Sequence, residues 1–236
     1  MILTLKIRKR WLFAGGLLLV VLLLLGWWIY RRSTAASAKV CTGSTLIIDA
    51  GHGGIDSGSV SVDGTRESDI NLQIALKLEK IAQFWGTPTV MTRSDDSRKT
   101  DFMSYSERDD LQYRADLVNA VPDGVLVSIH QNYYPTAQPS GAQVIYADAE
   151  GSESLGRLTH ENLVKALAPD NRRVPIPAQD KIFLLSHSQR PGILVECGFL
   201  SNNFEMLRLQ DSSYQTSLAV VIAASYLQFI HQKNPI

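Results

Sequence analysis

Four residues of the chain have side chains whose types and placement could carry hydrolytic chemistry: His52, Glu67, His130 and Glu196. His52 sits in "DAGHGGIDSG", directly after the apolar run that begins at Thr45, and His130 closes "GVLVSIH". Both therefore fall at predicted strand C-termini, the edge where open α/β sheets place ligand sites. Glu67 stands just ahead of a predicted helix in "GTRESDINL", and Glu196 ends "GILVE". A carboxylate in so apolar a run needs a partner or a function, because an unpaired buried charge is costly. Two imidazoles and a carboxylate form a catalytic zinc set that leaves one position open for water. A further glutamate nearby would serve as general base on that water. Structural readings stand beside these. Glu67 could favour the positive end of the following helix, His130 could be a satisfied strand-end histidine, and Glu196 could pair with Arg190. Asp49 either orients a ligand histidine through its second ring nitrogen or caps the turn. His160, His187 and His231 fall in a predicted helix, a loop and the tail, with no such coincidence.

The elements that must position these residues follow from periodicity. Short apolar runs predict strands at Thr45–Ala50, Thr87–Thr92, Gly124–His130, Ala142–Ala147, Ile182–Ser186 and Gly192–Cys197. They are apolar on both faces, as in a covered sheet. Helices are predicted at Ser68–Phe84, Ser106–Ala120, Ser152–Ala168 and Tyr214–Gln232. In the first, Ile70, Ile74, Leu78 and Ile81 recur at helical spacing. Ser201 and Asn202 read as the start of a further helix, since both cap well. The alternation gives one α/β layered domain over residues 45–232, with a central mostly parallel or mixed sheet covered by helices. Gly51, Gly53 and Gly54 let the chain turn tightly behind His52. The loop Tyr133–Gly141 follows His130, where Tyr133 and Tyr134 either wall a ligand groove or pack the loop onto the domain.

One transmembrane helix is expected ahead of this domain. Residues 11–30, "WLFAGGLLLVVLLLLGWWIY", are uninterrupted apolar residues and glycine, enough to match the hydrocarbon thickness of a bilayer. Basic residues 1–10 precede it, which favours a cytoplasmic N-terminus and an extracytoplasmic domain. Residues 31–44 read as a linker. The alternative is a secreted protein cleaved at the Ala36-Ser37-Ala38 pattern. Residues 1–39 hold seven of the 23 Lys/Arg and no acid, so the remainder carries 16 basic against 23 acidic residues, a formal charge of −7. That argues against nucleic acid as a partner. Two cysteines, Cys41 and Cys197, make neither a disulfide scaffold nor a cysteine zinc site.

Four motifs in order, "IIDAGHGG", "ESDINLQIALKL", "LVSIHQN" and "ILVECGFLSN", resemble the zinc-dependent N-acetylmuramoyl-L-alanine amidases. These cleave the amide between muramic acid and L-alanine of peptidoglycan. The resemblance implies one Zn2+ held by His52, Glu67 and His130, with Glu196 catalytic. It also places Arg114 and Asn119 in the helix before the strand of His130. Gln131 and Ala50 depart from the common alanine and proline, and neither is a ligand. The implied partners are the glycan strand and its stem peptide, with the membrane as the anchor. Size and layout are similar to the small anchored amidases of spore cortex, so vegetative wall and cortex both stand as substrates. The alternatives are a non-catalytic zinc-containing wall-binding regulator and a zinc peptidase cutting within the stem.

Overall fold

The structure, a computed structural model, describes residues 19–28, 44–96 and 106–233. The chain divides into Met1–Cys41 and Thr42–Ile236. In the first unit, residues 19–28 are helical and their leucines, valines and tryptophans are exposed. The rest of the apolar run 11–30 lies outside the described residues, as does Cys41. Among the described residues, no helix is long and apolar enough to cross a membrane.

The second unit is an α/β domain built on one mixed six-stranded sheet. Its strands are β1 (Thr45–Ala50), β2 (Thr89–Met91), β3 (Gly124–Asn132), β4 (Gln143–Tyr146), β5 (Ile176–Pro177) and β6 (Gly192–Phe199). They lie in the order β2-β1-β3-β6-β4-β5. All pairs are parallel except β4 against β6. The helices are α1 (Glu67–Phe84), α2 (Glu107–Ala120), α3 (Ser152–Leu167), α4 (Phe183–His187), α5 (Asn203–Gln210) and α6 (Ser212–Lys233).

Alternation along the strands builds two cores. Leu46, Ile48, Val127, Ile129 and Val195 pack with Ile70, Ile74 and Leu78 of α1 and with Ile222 and Tyr226 of α6. Ile47, Leu126 and Leu194 face the other way, onto Ala115 and Val118 of α2 and Leu184 and Leu185 of α4. Each fully buried aliphatic side chain contributes roughly 1.5–3 kcal/mol, which is what closes both faces of the sheet. Period two then sets the face of the polar residues. Asp49, Ser128 and Glu196 follow Ile47, Leu126 and Leu194 by two positions and lie on the α2–α4 side, at the strand C-termini.

Two elements differ from the sequence expectation. The predicted strand Ile182–Ser186 is instead helix α4, with Ile182 extended as its N-cap. A short apolar run fits a buried strand and a buried helical turn equally well by pattern. Here Leu184 and Leu185 are adjacent and both buried against the second core, whereas adjacent residues of a strand point to opposite faces. The sheet edge is taken by Ile176–Pro177, too short to show a period. Helix α5 begins at the expected cap, where the Asn202 carboxamide oxygen accepts from the Phe204 and Glu205 amides.

Candidate metal centre and catalytic site

The turn after β1 carries His52 in a left-handed backbone conformation, φ 61°. For a residue other than glycine this costs roughly 1 kcal/mol or more and persists only where the surroundings enforce it. The enforcement comes from two buried arginines. Arg114 of α2 donates to the carbonyls of Ala50 and His52, at 2.9 and 2.8 Å. Arg93 donates to those of Ala50 and Gly51, at 2.8 and 3.0 Å. The carbonyls of the turn are thus held from two sides by charged donors. Gly51 is required by a close approach: a Cβ there would overlap the His130 ring. Gly58, at φ +61°, faces the same limit against the Glu67 carboxylate and the His52 ring.

His52 Nδ1 lies 2.7 Å from Asp56 Oδ2. With that nitrogen donating to a carboxylate, Nε2 presents its lone pair to the site. Nε2 faces Glu67 Oε1 at 3.4 Å, and His130 Nδ1 lies 3.0 Å from the same oxygen. The donor atoms of His52, Glu67 and His130 all fall within 4.8 Å of one another, a grouping that could hold a metal ion. Glu67 is buried at 3% exposure, while the His52 and His130 side chains keep 28% and 20%. The centre is therefore rooted in the protein and open on its imidazole side. Glu67 accepts from the amides of Ser59 and Gln131 and from Asn71 Nδ2. Burial alone would raise its carboxyl, but the His130 and His52 imidazoles outweigh burial and hold it well below the usual carboxylate range.

Glu196 sits directly across from His130 in the β3–β6 register. Its Oε2 is buried with no hydrogen-bond partner. Burial pushes its carboxyl up to about 7, with Glu67 adding to the rise and the histidines opposing it. Arg190, the alternative ionic partner, donates instead to the carbonyl of Asn119. A cavity of about 220 Å³ adjoins His130 and Glu196 under α2 and α4. A larger hollow, about 500 Å³, lies by Gly151, Pro191 and Phe229 near the start of β6 and touches none of these residues.

Asp49 stands elsewhere in the arrangement. Its hydrogen bonds run to Thr92, Arg114 and Ser128, at 2.7, 2.7 and 2.6 Å, and none runs to a histidine. The carboxylate on His52 Nδ1 is that of Asp56, four residues further on, inside a motif where a turn-forming aspartate hides it from sequence reading. Burial would raise Asp49, but the Arg114 charge and the Ser128 hydrogen bond bring it down to about 2. Cys197 is a free buried thiol in the first core, its pKa pushed up by burial. Tyr133 and Tyr134 are half-exposed, and their loop is tied down by Asn202 Nδ2 on the carbonyls of Ala137 and Pro139.

An α/β sheet that gathers His, Glu and His at its C-terminal edge beside a half-buried glutamate has the composition of a hydrolytic metal centre. The N-acetylmuramoyl-L-alanine amidase family matches residues 46–227. The germination-specific N-acetylmuramoyl-L-alanine amidase of Bacillus subtilis is 30% identical over 198 residues, 82% of each chain. Among solved structures, the CwlD amidase of Clostridioides difficile, determined in complex with the GerS lipoprotein, is 35% identical with a TM-score of 0.76. It is covered over 99% of its length by 80% of this chain. An N-acetylmuramoyl-L-alanine amidase of Clostridium difficile 630 is 31% identical, with a TM-score of 0.70, over 82% of this chain and 98% of that one. The chain belongs to the N-acetylmuramoyl-L-alanine amidase family. It is a peptidoglycan hydrolase that cleaves the amide between N-acetylmuramic acid and L-alanine.

Proposed function

We propose that His52, Glu67 and His130 hold one zinc ion and that Glu196 is the general acid–base of the amidase reaction. The donor set suits zinc: two imidazole nitrogens and one carboxylate, already converged on one point. The observation that carries the role of Glu196 is its buried, partnerless Oε2 opposite His130. A carboxylate oxygen kept buried and unpaired costs stability, and a proton-transfer task accounts for keeping it.

Zinc, when bound, would polarise the scissile carbonyl and lower the pKa of water at the site. Glu196 takes a proton from the attacking water and passes it to the amide nitrogen as the carbon–nitrogen bond breaks, so that L-alanine leaves as a neutral amine. A carboxyl with a pKa near neutrality suits both halves of that transfer. Asp56 fixes the His52 ring, and Arg93 and Arg114 hold the turn that presents it. The half-open histidines leave room for a bulky glycan strand.

The chain is held at the outer face of the cytoplasmic membrane by residues 11–30, and it acts in wall or spore-cortex remodelling. The length and apolarity of that run support the anchor. The germination-specific relative supports cortex as the substrate. Metal analysis tests the centre: one zinc per chain is expected, falling below a tenth of that in His52→Ala and His130→Ala. Full zinc content in both variants would refute the ligand set. Fractionation of cells tests the anchor, with the chain expected in the membrane pellet and released only by detergent.

A further inference from the structure

The cavity beside Glu196 has a definite chemistry. His130 and Glu196 of the sheet line it, Leu111 of α2 and Leu184 and Leu185 of α4 form an apolar wall, and the exposed Lys181 lines it too. We propose that this cavity receives the leaving peptide. The methyl group of L-alanine packs against the leucines, and Lys181 pairs with the α-carboxylate of the second stem residue, D-isoglutamate. Lys181 is then a specificity-determining residue of the amidase, a statement that rests on the function proposed above.

Three observations support this. Glu196 must reach the departing nitrogen, so the leaving group lies on its side of the scissile bond, and Glu196 itself lines the cavity. Its volume of about 220 Å³ is below the ~300–1,000 Å³ of pockets that engulf a drug-sized ligand. It therefore takes a residue or so of substrate and excludes a glycan strand. The charges inside also leave one cation available. Arg114 is tied to Asp49 and Asp110, at 2.7 and 2.9 Å, whereas Lys181 is exposed and forms no ion pair among the described residues. A carboxylate on the residue after L-alanine lies within about 7 Å of the scissile nitrogen, two residues' reach of extended chain. Glu196 and Lys181 both line this one small cavity.

The test uses the full-length, zinc-loaded enzyme in detergent and two muropeptides that differ only at the second stem residue. One carries the α-carboxylate, the other the α-carboxamide. Release of N-terminal L-alanine gives kcat and KM for each. An exposed ion pair predicts that the carboxylate substrate is preferred about fivefold, through KM. In Lys181→Met that ratio falls to about one, and in Lys181→Arg it is kept. Leu111→Trp, which fills the cavity, lowers kcat/KM at least tenfold on both substrates while zinc content stays at one per chain. Equal use of the two substrates by the wild type, or a preference that survives Lys181→Met, overturns the assignment of Lys181. Undiminished turnover by Leu111→Trp overturns the cavity as the subsite. Failure to release L-alanine from either substrate overturns the underlying amidase mechanism, a separate and recognisable result.

Discussion

Replacing Glu196 by glutamine should make the metal-free protein more stable at alkaline pH while removing its activity. The folded-state carboxyl is raised from 4.5 to about 7. A raised carboxyl gives its full contribution to stability below the unfolded value of 4.5, and loses it as pH climbs through 7. At about 1.4 kcal/mol per pH unit, the burial of this charge costs at most about 3.5 kcal/mol well above pH 7. The partial exposure of Glu196 brings that nearer to about 2 kcal/mol. Glutamine keeps the shape and carries no charge, so the cost vanishes. Urea denaturation in the presence of a chelator, at pH 5 and pH 8, measures both ends. The variant should exceed the wild type by less than about 1 kcal/mol at pH 5 and by about 2 kcal/mol at pH 8. Its kcat with zinc restored should fall by about 10²–10⁴-fold. A variant equally stable or less stable at pH 8 would refute the account of Glu196 as a carboxylate with a buried, unpaired oxygen.

Other consequences follow from the same geometry. Asp49→Asn breaks a buried pair and should cost about 3 kcal/mol at neutral pH. Because its carboxyl is lowered to about 2, the charge contributes above pH 3.8 and its share is lost as pH falls through 2, so unfolding curves of the two proteins should approach each other in acid. Gly51→Ala forces the His130 ring aside, and zinc affinity, read by competition with a chelating dye, should fall by about 10–100-fold. Free zinc at about 100 times its Kd should raise stability by about 2.7 kcal/mol, visible as a higher Tm than in chelator. Asn202→Ala removes the α5 cap and should cost about 1 kcal/mol in the same denaturation assay.

The parts of the fold legible in the sequence are those with a strong period or strong punctuation. Helix α1 shows its stripe of isoleucine and leucine, and β1 and β3 show their apolar runs, because burial on a covered sheet demands these residues. Helix α4 and strand β5 were hidden for opposite reasons. The run at 182–186 is apolar enough for either element, and only its neighbours in space choose. Ile176–Pro177 is too short for any pattern. His52 and His130 are legible as residues at strand C-termini, whereas Glu67 joins them only through the resemblance to the amidases, because a glutamate ahead of a helix has a structural use of its own. The supports were not legible. Asp56 on His52, and Arg93 and Arg114 on the turn carbonyls, act through contacts that span 4 to 64 positions in the chain. An aspartate in a glycine-rich turn has too many local uses to declare one.

The central claim is tested most directly by the bond that is cut. Full-length protein with zinc, acting on purified peptidoglycan, should expose new N-terminal L-alanine and no other new amino terminus. Glu196→Ala, with its zinc intact, should expose none. New termini elsewhere in the stem peptide, or undiminished release by the Glu196→Ala protein, would contradict the account.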